Sequence, residues 1–311
     1  MRVITLLVVG LILVSCSQAE QFDLPDLPDG AQAISLLGDT LYPLRAAPEL
    51  QQQREQELAE ARANHEAEPH DAAALIWLGR REAYLGNYRE AIRTYTHGIE
   101  THPNDARMYR HRGHRYITLR IFDRAIADLQ RAAELTAGHE DQIEPDGQPN
   151  ALNIPTSTLQ FNIWYHLGLA QYLTGDFASA LTSYRECMKV SNNPDALVAT
   201  SHWLYMTLRR LDRDAEAAVV LEPITDDMEI IENDAYHQLL LLYQGHASPE
   251  SLLTPDKDAV QSATIAYGVG NWYYYNGQQA EADRIFRSIL EGDGWAAFGF
   301  IAAEAELARS R

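Results

Sequence analysis

FNIWYHLGLAQYLTGDFASALTSYRECMKVSNNP, residues 161–194, is the stretch from which the fold is read. Shifted by 89 residues, its Leu167, Gly168, Gly175, Phe177, Ala180 and Tyr184 fall on Leu78, Gly79, Gly86, Tyr88, Ala91 and Tyr95. A shift of 34 carries Gly79 to Gly113, Tyr88 to Phe122 and Ala91 to Ala125. A shift of 191 carries Gly79, Gly86, Ala91 and Tyr95 to Gly270, Gly277, Ala282 and Phe286. Self-similarity at a fixed period marks an array of supersecondary units. Within one unit, residues 72–84 are mostly helix formers and Gly86-Asn87 is a turn signal. Tyr88 to Glu100 then forms a second helix, broken at His102-Pro103-Asn104. Gly79 and Ala91 are small enough for the two helices to approach closely, and Leu78, Tyr88 and Tyr95 fill the space around them. A lone hairpin leaves apolar surface bare, so each needs a neighbour on either side.

These positions resemble the tetratricopeptide repeat, most fully at Trp164, Leu167, Gly168, Gly175, Phe177, Ala180 and Tyr184. The resemblance implies an all-α fold, an α-solenoid of stacked antiparallel helix hairpins over residues 46–311. Repeats are expected at 72–105, 106–139, 161–194 and 263–296, with a degenerate stretch at 195–246. A helix over Glu49–Asn64 is expected to cover the first repeat, and one over 297–309 to cap the last. The resemblance also implies that the first helix of each hairpin lines a concave face where a protein or peptide partner binds.

The amino terminus reads as an address. Arg2 precedes an apolar run from Val3 to Val14, which at about 1.5 Å per residue is too short for a bilayer core of about 30 Å. Residues 1–15 are therefore a signal peptide. Leu13-Val14-Ser15-Cys16 resembles a bacterial lipobox, which implies cleavage before Cys16 and acylation of that residue, an anchor in the membrane. Ser17 is similar to the outer-membrane sorting choice of Gram-negative bacteria, facing the periplasm. Residues 16–45, with Pro25, Pro28, Gly30, Gly38 and Pro43, read as a flexible tether.

Composition narrows the function. The chain has 311 residues, 46% of them hydrophobic, enough for a large core. Asp+Glu number 44 against 25 Lys+Arg, a net charge of -19. Binding a phosphate backbone needs clustered cations, so nucleic acid is not an expected partner. Cys16 and Cys187 are the two cysteines, which excludes a disulfide framework and a thiolate-built metal site.

Three features depart from a plain array. Residues 140–160, EDQIEPDGQPNALNIPTSTLQ, interrupt it with a long loop able to fold over the groove. Residues 107–120, RMYRHRGHRYITLR, are a cationic cluster in an acidic chain, with Arg107, Arg110 and His114 on one helical stripe. By the resemblance this stripe faces inward, beside Arg80 one repeat earlier and Asn162 and Tyr165 one repeat later. Arginine offers a planar fork to carboxylate, so these six residues are the candidate site for an acidic partner segment. The bland reading is that the bases neutralise neighbouring acids. Third, Arg112 stands where Leu78 and Leu167 stand in sister copies, and Glu82 is expected to pair with it, since a buried unpaired guanidinium is costly.

Catalytic chemistry has little support. HExxH, GxSxG, Walker and dinucleotide patterns are missing, and His111, His114, His166 and His202 lack an acid at ligand spacing. No metal or cofactor is expected. The leading expectation is a non-catalytic scaffold or adaptor holding an extended peptide in its groove. In the alternative, the loop and the 107–120 helix enclose a small anionic ligand in a binding or catalytic pocket. A closed cavity lined by Arg110, His114 and Tyr165 would favour that alternative.

Overall fold

The computed structural model describes residues 24–253 and 259–310; the expected signal peptide, residues 1–15, and Cys16 lie outside them. Strands β1 (Ala33–Ile34) and β2 (Thr40–Leu41) precede α1 (Pro48–Ala67). Four hairpins follow: α2 (Ala72–Tyr84) with α3 (Tyr88–Thr101), α4 (Ala106–Thr118) with α5 (Phe122–Thr136), α6 (Leu159–Thr174) with α7 (Phe177–Val190), and α8 (Pro194–Arg210) with α9 (Asp214–Leu221). Then come α10 (Asp234–Tyr243), the short α11 (Pro249–Leu252), the hairpin α12 (Ala259–Tyr275) with α13 (Gln279–Leu290), and α14 (Phe298–Arg309). Successive hairpins stack through α3 on α4, α5 on α6 and α7 on α8, with α1 covering α2. This is an all-α solenoid of tetratricopeptide type.

Local chemistry explains the units. The side chains of Asp71, Asp105, Thr158, Asp176 and Asn193 accept hydrogen bonds from backbone amides in the first turns of α2, α4, α6, α7 and α8. Between the two helices of each hairpin the backbone turns through the left-handed region, at Gly86, Arg120, Gly175, Asp212 and Gly277. Sixteen residues separate each packing glycine from the ring it serves. A Cβ on Gly79, Gly168 or Gly270 would stand 2.5, 2.8 or 2.6 Å from the ring of Tyr95, Tyr184 or Phe286. Glycine is therefore the residue that lets ring and helix share this space.

Two segments differ from expectation. Residues 24–45 carry a hairpin, pairing Ala33 with Leu41, rather than a plain tether. Ala31, Ala33 and Leu41 are buried, the Gln32 side chain accepts from the Arg89 amide, and Arg89 donates to the Pro25 carbonyl at 2.7 Å. Two-residue strands have no alternation to read, which is why the sequence conceals them. The second is α14. It packs along α12 and α13 and also against α6, on the inner side of the array, instead of extending its end. Gly299 through Leu307 are all buried in it, so water reaches no face of this stretch.

Candidate functional site

The expected groove is filled by the chain itself. Over α2 and α4 the filling is the 140–160 loop. Arg80 Nη1 donates to the Pro145 carbonyl at 2.7 Å, and its Nε lies 3.3 Å from the Tyr84 hydroxyl. Arg81 Nη1 donates to the Gly147 carbonyl at 3.2 Å and to Glu57 at 2.8 Å. Arg110 Nε stands 2.9 Å from Glu144 Oε2, and its Nη1 stands 3.0 Å from His111 Nδ1. Burial opposes the Arg110 charge and Glu144 supports it. Burial, aided by Arg110, also holds His111 well below the usual imidazole range, which leaves Nδ1 neutral as an acceptor. The two inward arginines Arg80 and Arg110 thus hold an extended acidic segment, and that segment is intramolecular.

Over α6, α8 and α12 the filling is α14. The Phe298 ring lies 5.3 Å from His114, 5.6 Å from His166 and 6.5 Å from Tyr165; His166 and Tyr165 are buried and His114 half-buried. Burial and nearby guanidinium groups hold His114 and His166 well below the ordinary range. The Tyr165 hydroxyl accepts from Trp203 Nε1 at 2.8 Å and lies 2.8 Å from the Tyr236 hydroxyl. Asn162 donates to the Ser157 hydroxyl. Arg107 turns away from the inner face to Asp105, the cap of its own helix. Of the six expected contact residues, then, Arg80 and Arg110 hold the loop, Arg107 is a local partner, Asn162 and Tyr165 are buried, and His114 is half-buried against Phe298. Phe298 occupies the space where a cavity between His114 and Tyr165 would have to be.

Two buried ion pairs fix α14. Arg120 Nη2 and Glu304 Oε2 are 2.7 Å apart with side chains only 2% and 1% exposed. The same guanidinium donates to the Thr118 carbonyl at 2.5 Å and the Trp295 carbonyl at 2.9 Å, and Glu304 also accepts from the Leu36 amide of the N-terminal hairpin. Glu306 meets Arg210 at 3.1 Å and Arg309 at 2.7 Å, and its Oε1 lies 3.2 Å from the Tyr267 hydroxyl. Sequence reading missed these residues, although one signal was present. Arg120 occupies the left-handed position that glycine fills at Gly86, Gly175 and Gly277. A side chain there is unfavourable for the backbone and needs a compensating contact.

Arg112 does not meet Glu82. Its Nε and Nη2 reach the two carboxylate oxygens of Asp128 at 2.7 and 2.8 Å, and Nη1 reaches the Thr96 hydroxyl at 3.0 Å. Burial opposes the Arg112 charge, but Asp128 outweighs it and leaves the guanidinium pKa raised. Glu82 instead accepts from the Thr94 hydroxyl at 2.8 Å. The same within-hairpin bond recurs 89 residues later, from Ser183 to Gln171 at 2.6 Å. Position 82 therefore points into its own hairpin and cannot serve the next one. Burial pushes the Glu82 carboxyl up to about 7, against the lowering effect of the Thr94 hydroxyl.

Cys187 is buried, with Sγ 3.2 Å from the Thr200 hydroxyl, and burial pushes its thiol up to about 12. Among the described residues no group of three or more His, Cys, Asp or Glu side chains could hold a metal ion. Among the same residues no helix is long and apolar enough to cross a membrane.

The family model for the tetratricopeptide repeat matches residues 161–194. No curated protein matches the chain. Among solved structures it is similar to a tetratricopeptide repeat protein from Parabacteroides merdae, with 15% identity, a TM-score of 0.47, and coverage of 81% of this chain and 91% of that one. It is also similar to YrrB, a TPR protein with an unusual peptide-binding site, with 15% identity, a TM-score of 0.43, and coverage of 74% and 91%.

Proposed function

We propose that this protein is a non-catalytic scaffold whose partner binds as an extended acidic segment across the inner face of α2 and α4. The observation that carries the reading is the grip of Arg80, Arg81 and Arg110 on the Pro145 and Gly147 carbonyls and the Glu144 carboxylate. Contacts to main-chain carbonyls suit any extended chain, and the carboxylate contact selects an acid. Lipid on Cys16 would hold the scaffold on a membrane, probed from the periplasmic side of the outer membrane in a Gram-negative cell. The support for the anchor is the sequence Leu13-Val14-Ser15-Cys16 after its apolar run.

The test is affinity capture from native membranes with the full chain and with an Arg80→Ala, Arg81→Ala double variant. The reading expects the co-purifying partner to fall at least about tenfold with the variant, while its melting temperature stays within a few degrees. Equal recovery would contradict the site. Mass spectrometry of the mature amino terminus tests the anchor: a triacylated Cys16 is expected, and an unmodified terminus would refute it.

A further inference from the structure

The 140–160 loop is pinned at its two ends and held between them only by polar groups. At the base, Asp141 accepts from the Thr158 hydroxyl at 2.5 Å and the Gln160 amide at 2.9 Å, and Leu159 donates to the Gln142 carbonyl at 2.8 Å. On the far side, Asn150 and Thr156 each donate to Glu232 at 2.6 Å. Between these anchors, residues 144–147 lie across α2 and α4. Between the anchors the loop's large apolar side chains do not join the core: Ile143 is 67% exposed and Leu152 63%. A segment ordered by burial would turn these inward. This one is ordered by two carbonyls and one carboxylate presented to three arginines, and by the Glu144 amide donating to the Ser157 carbonyl at 3.2 Å.

We propose that residues 143–147, Ile-Glu-Pro-Asp-Gly, are an internal ligand of the partner site, which a partner segment of the same chemistry displaces. The class of partner is an extended peptide with a glutamate followed by proline. This rests on the scaffold reading of the same face and adds to it both the partner's sequence character and the means of regulation. Both anchors can stay in place while the central residues lift, because Asp141, Thr158, Asn150 and Glu232 lie outside the held segment and the Glu144 amide has one backbone bond to give up, to the Ser157 carbonyl. A tethered segment competes at an effective concentration of about millimolar, so its removal strengthens binding of a free peptide.

The experiment uses the full chain with residues 143–148 replaced by Gly-Ser-Gly-Ser-Gly-Ser. The probe is a fluorescent peptide of sequence DQIEPDGQP with blocked ends. Saturable binding to the replaced chain is expected, at least about tenfold weaker binding to the unaltered chain, and a similar loss when the probe's glutamate becomes glutamine. A replaced chain of unchanged helicity that fails to bind the probe would overturn the proposal, as would equal binding of both probes. Should the replaced chain not fold, Glu144→Gln in the intact loop takes its place, and the probe must bind it more tightly than the unaltered chain. No gain there would also overturn it. Native-partner capture that depends on Arg80 and Arg81, combined with no probe binding, would sink the internal ligand and leave the scaffold reading standing.

Discussion

Over α2 and α4 the inner face is covered by an extended loop offering two carbonyls and one carboxylate, whereas over α6, α8 and α12 it is covered by a helix buried along most of its length. Each covering places a glutamate against an arginine of the repeats: Glu144 of the loop against Arg110 of α4, and Glu304 of α14 against Arg120 of the turn between α4 and α5. They differ in what seals the pair. Arg110 is sealed by the same loop that brings Glu144, so lifting the loop returns water to the guanidinium. Arg120 is sealed by α14, Trp295 and the N-terminal hairpin together, and none of these can leave without opening the core. An ion pair of the same kind thus closes a removable cover in one half and locks a permanent one in the other.

The largest effect should fall on the permanent half. Arg120→Gly removes the ion pair to Glu304 together with the bonds to the Thr118 and Trp295 carbonyls, and although glycine suits the left-handed backbone, it is expected to cost about 3–5 kcal/mol in denaturant unfolding. A loss under about 1 kcal/mol would place that pair on the level of a surface contact. Next comes the first half's own buried pair. Asp128→Ser should cost about 3 kcal/mol, and adding Arg112→Leu should restore all of it, because the double variant recreates the Leu78/Thr94 and Leu167/Ser183 pattern of its neighbours. A double variant no more stable than the single one would rule this out.

Acid should act on the boundary between the halves. His111, His114 and His166 are held neutral in the folded chain, while an unfolded imidazole titrates near 6.5. The unfolded state binds more protons below that value, so stability is full above about pH 7 and declines as pH falls towards 5. A melting temperature that rises as the pH is lowered from 7 to 5 would contradict the neutral assignment. Glu82 has the opposite sign. Its folded carboxyl, pushed up to about 7, binds protons that the unfolded chain releases above 4.5, so it weakens the fold most above pH 7. Glu82→Gln should therefore stabilise at pH 8, on the order of 1 kcal/mol, and have no such effect near pH 4.5, as read by thermal unfolding at both values. The smallest change is expected from Glu144→Gln, within about 1 kcal/mol, because the freed Arg110 regains water. A cost matching Arg120→Gly would erase the distinction between the two covers.

What the sequence disclosed and what it hid follow contact range. The hairpins were legible because Gly79 and Tyr95, or Gly168 and Tyr184, meet sixteen residues apart and repeat. The attraction of Arg80 and Arg110 for an acid was legible as chemistry, although its source in Glu144 was not. Position 82 misled because the analogous bond, Ser183 to Gln171, only becomes visible once side chains are placed. The location of α14 depends on the curvature of the whole array, which brings Glu304 to Arg120 across 184 positions. Its sequence did hold a clue: FGFIAAEAELAR offers no polar face, and a helix without one must be buried all round.

Native-state hydrogen exchange followed by mass spectrometry tests the difference between the two covers most directly. Amides of residues 143–157 should exchange by local opening, at least roughly a hundredfold faster than those of 300–308, which should open only with global unfolding. Loop and helix amides released together, at one rate and in one step, would contradict the account.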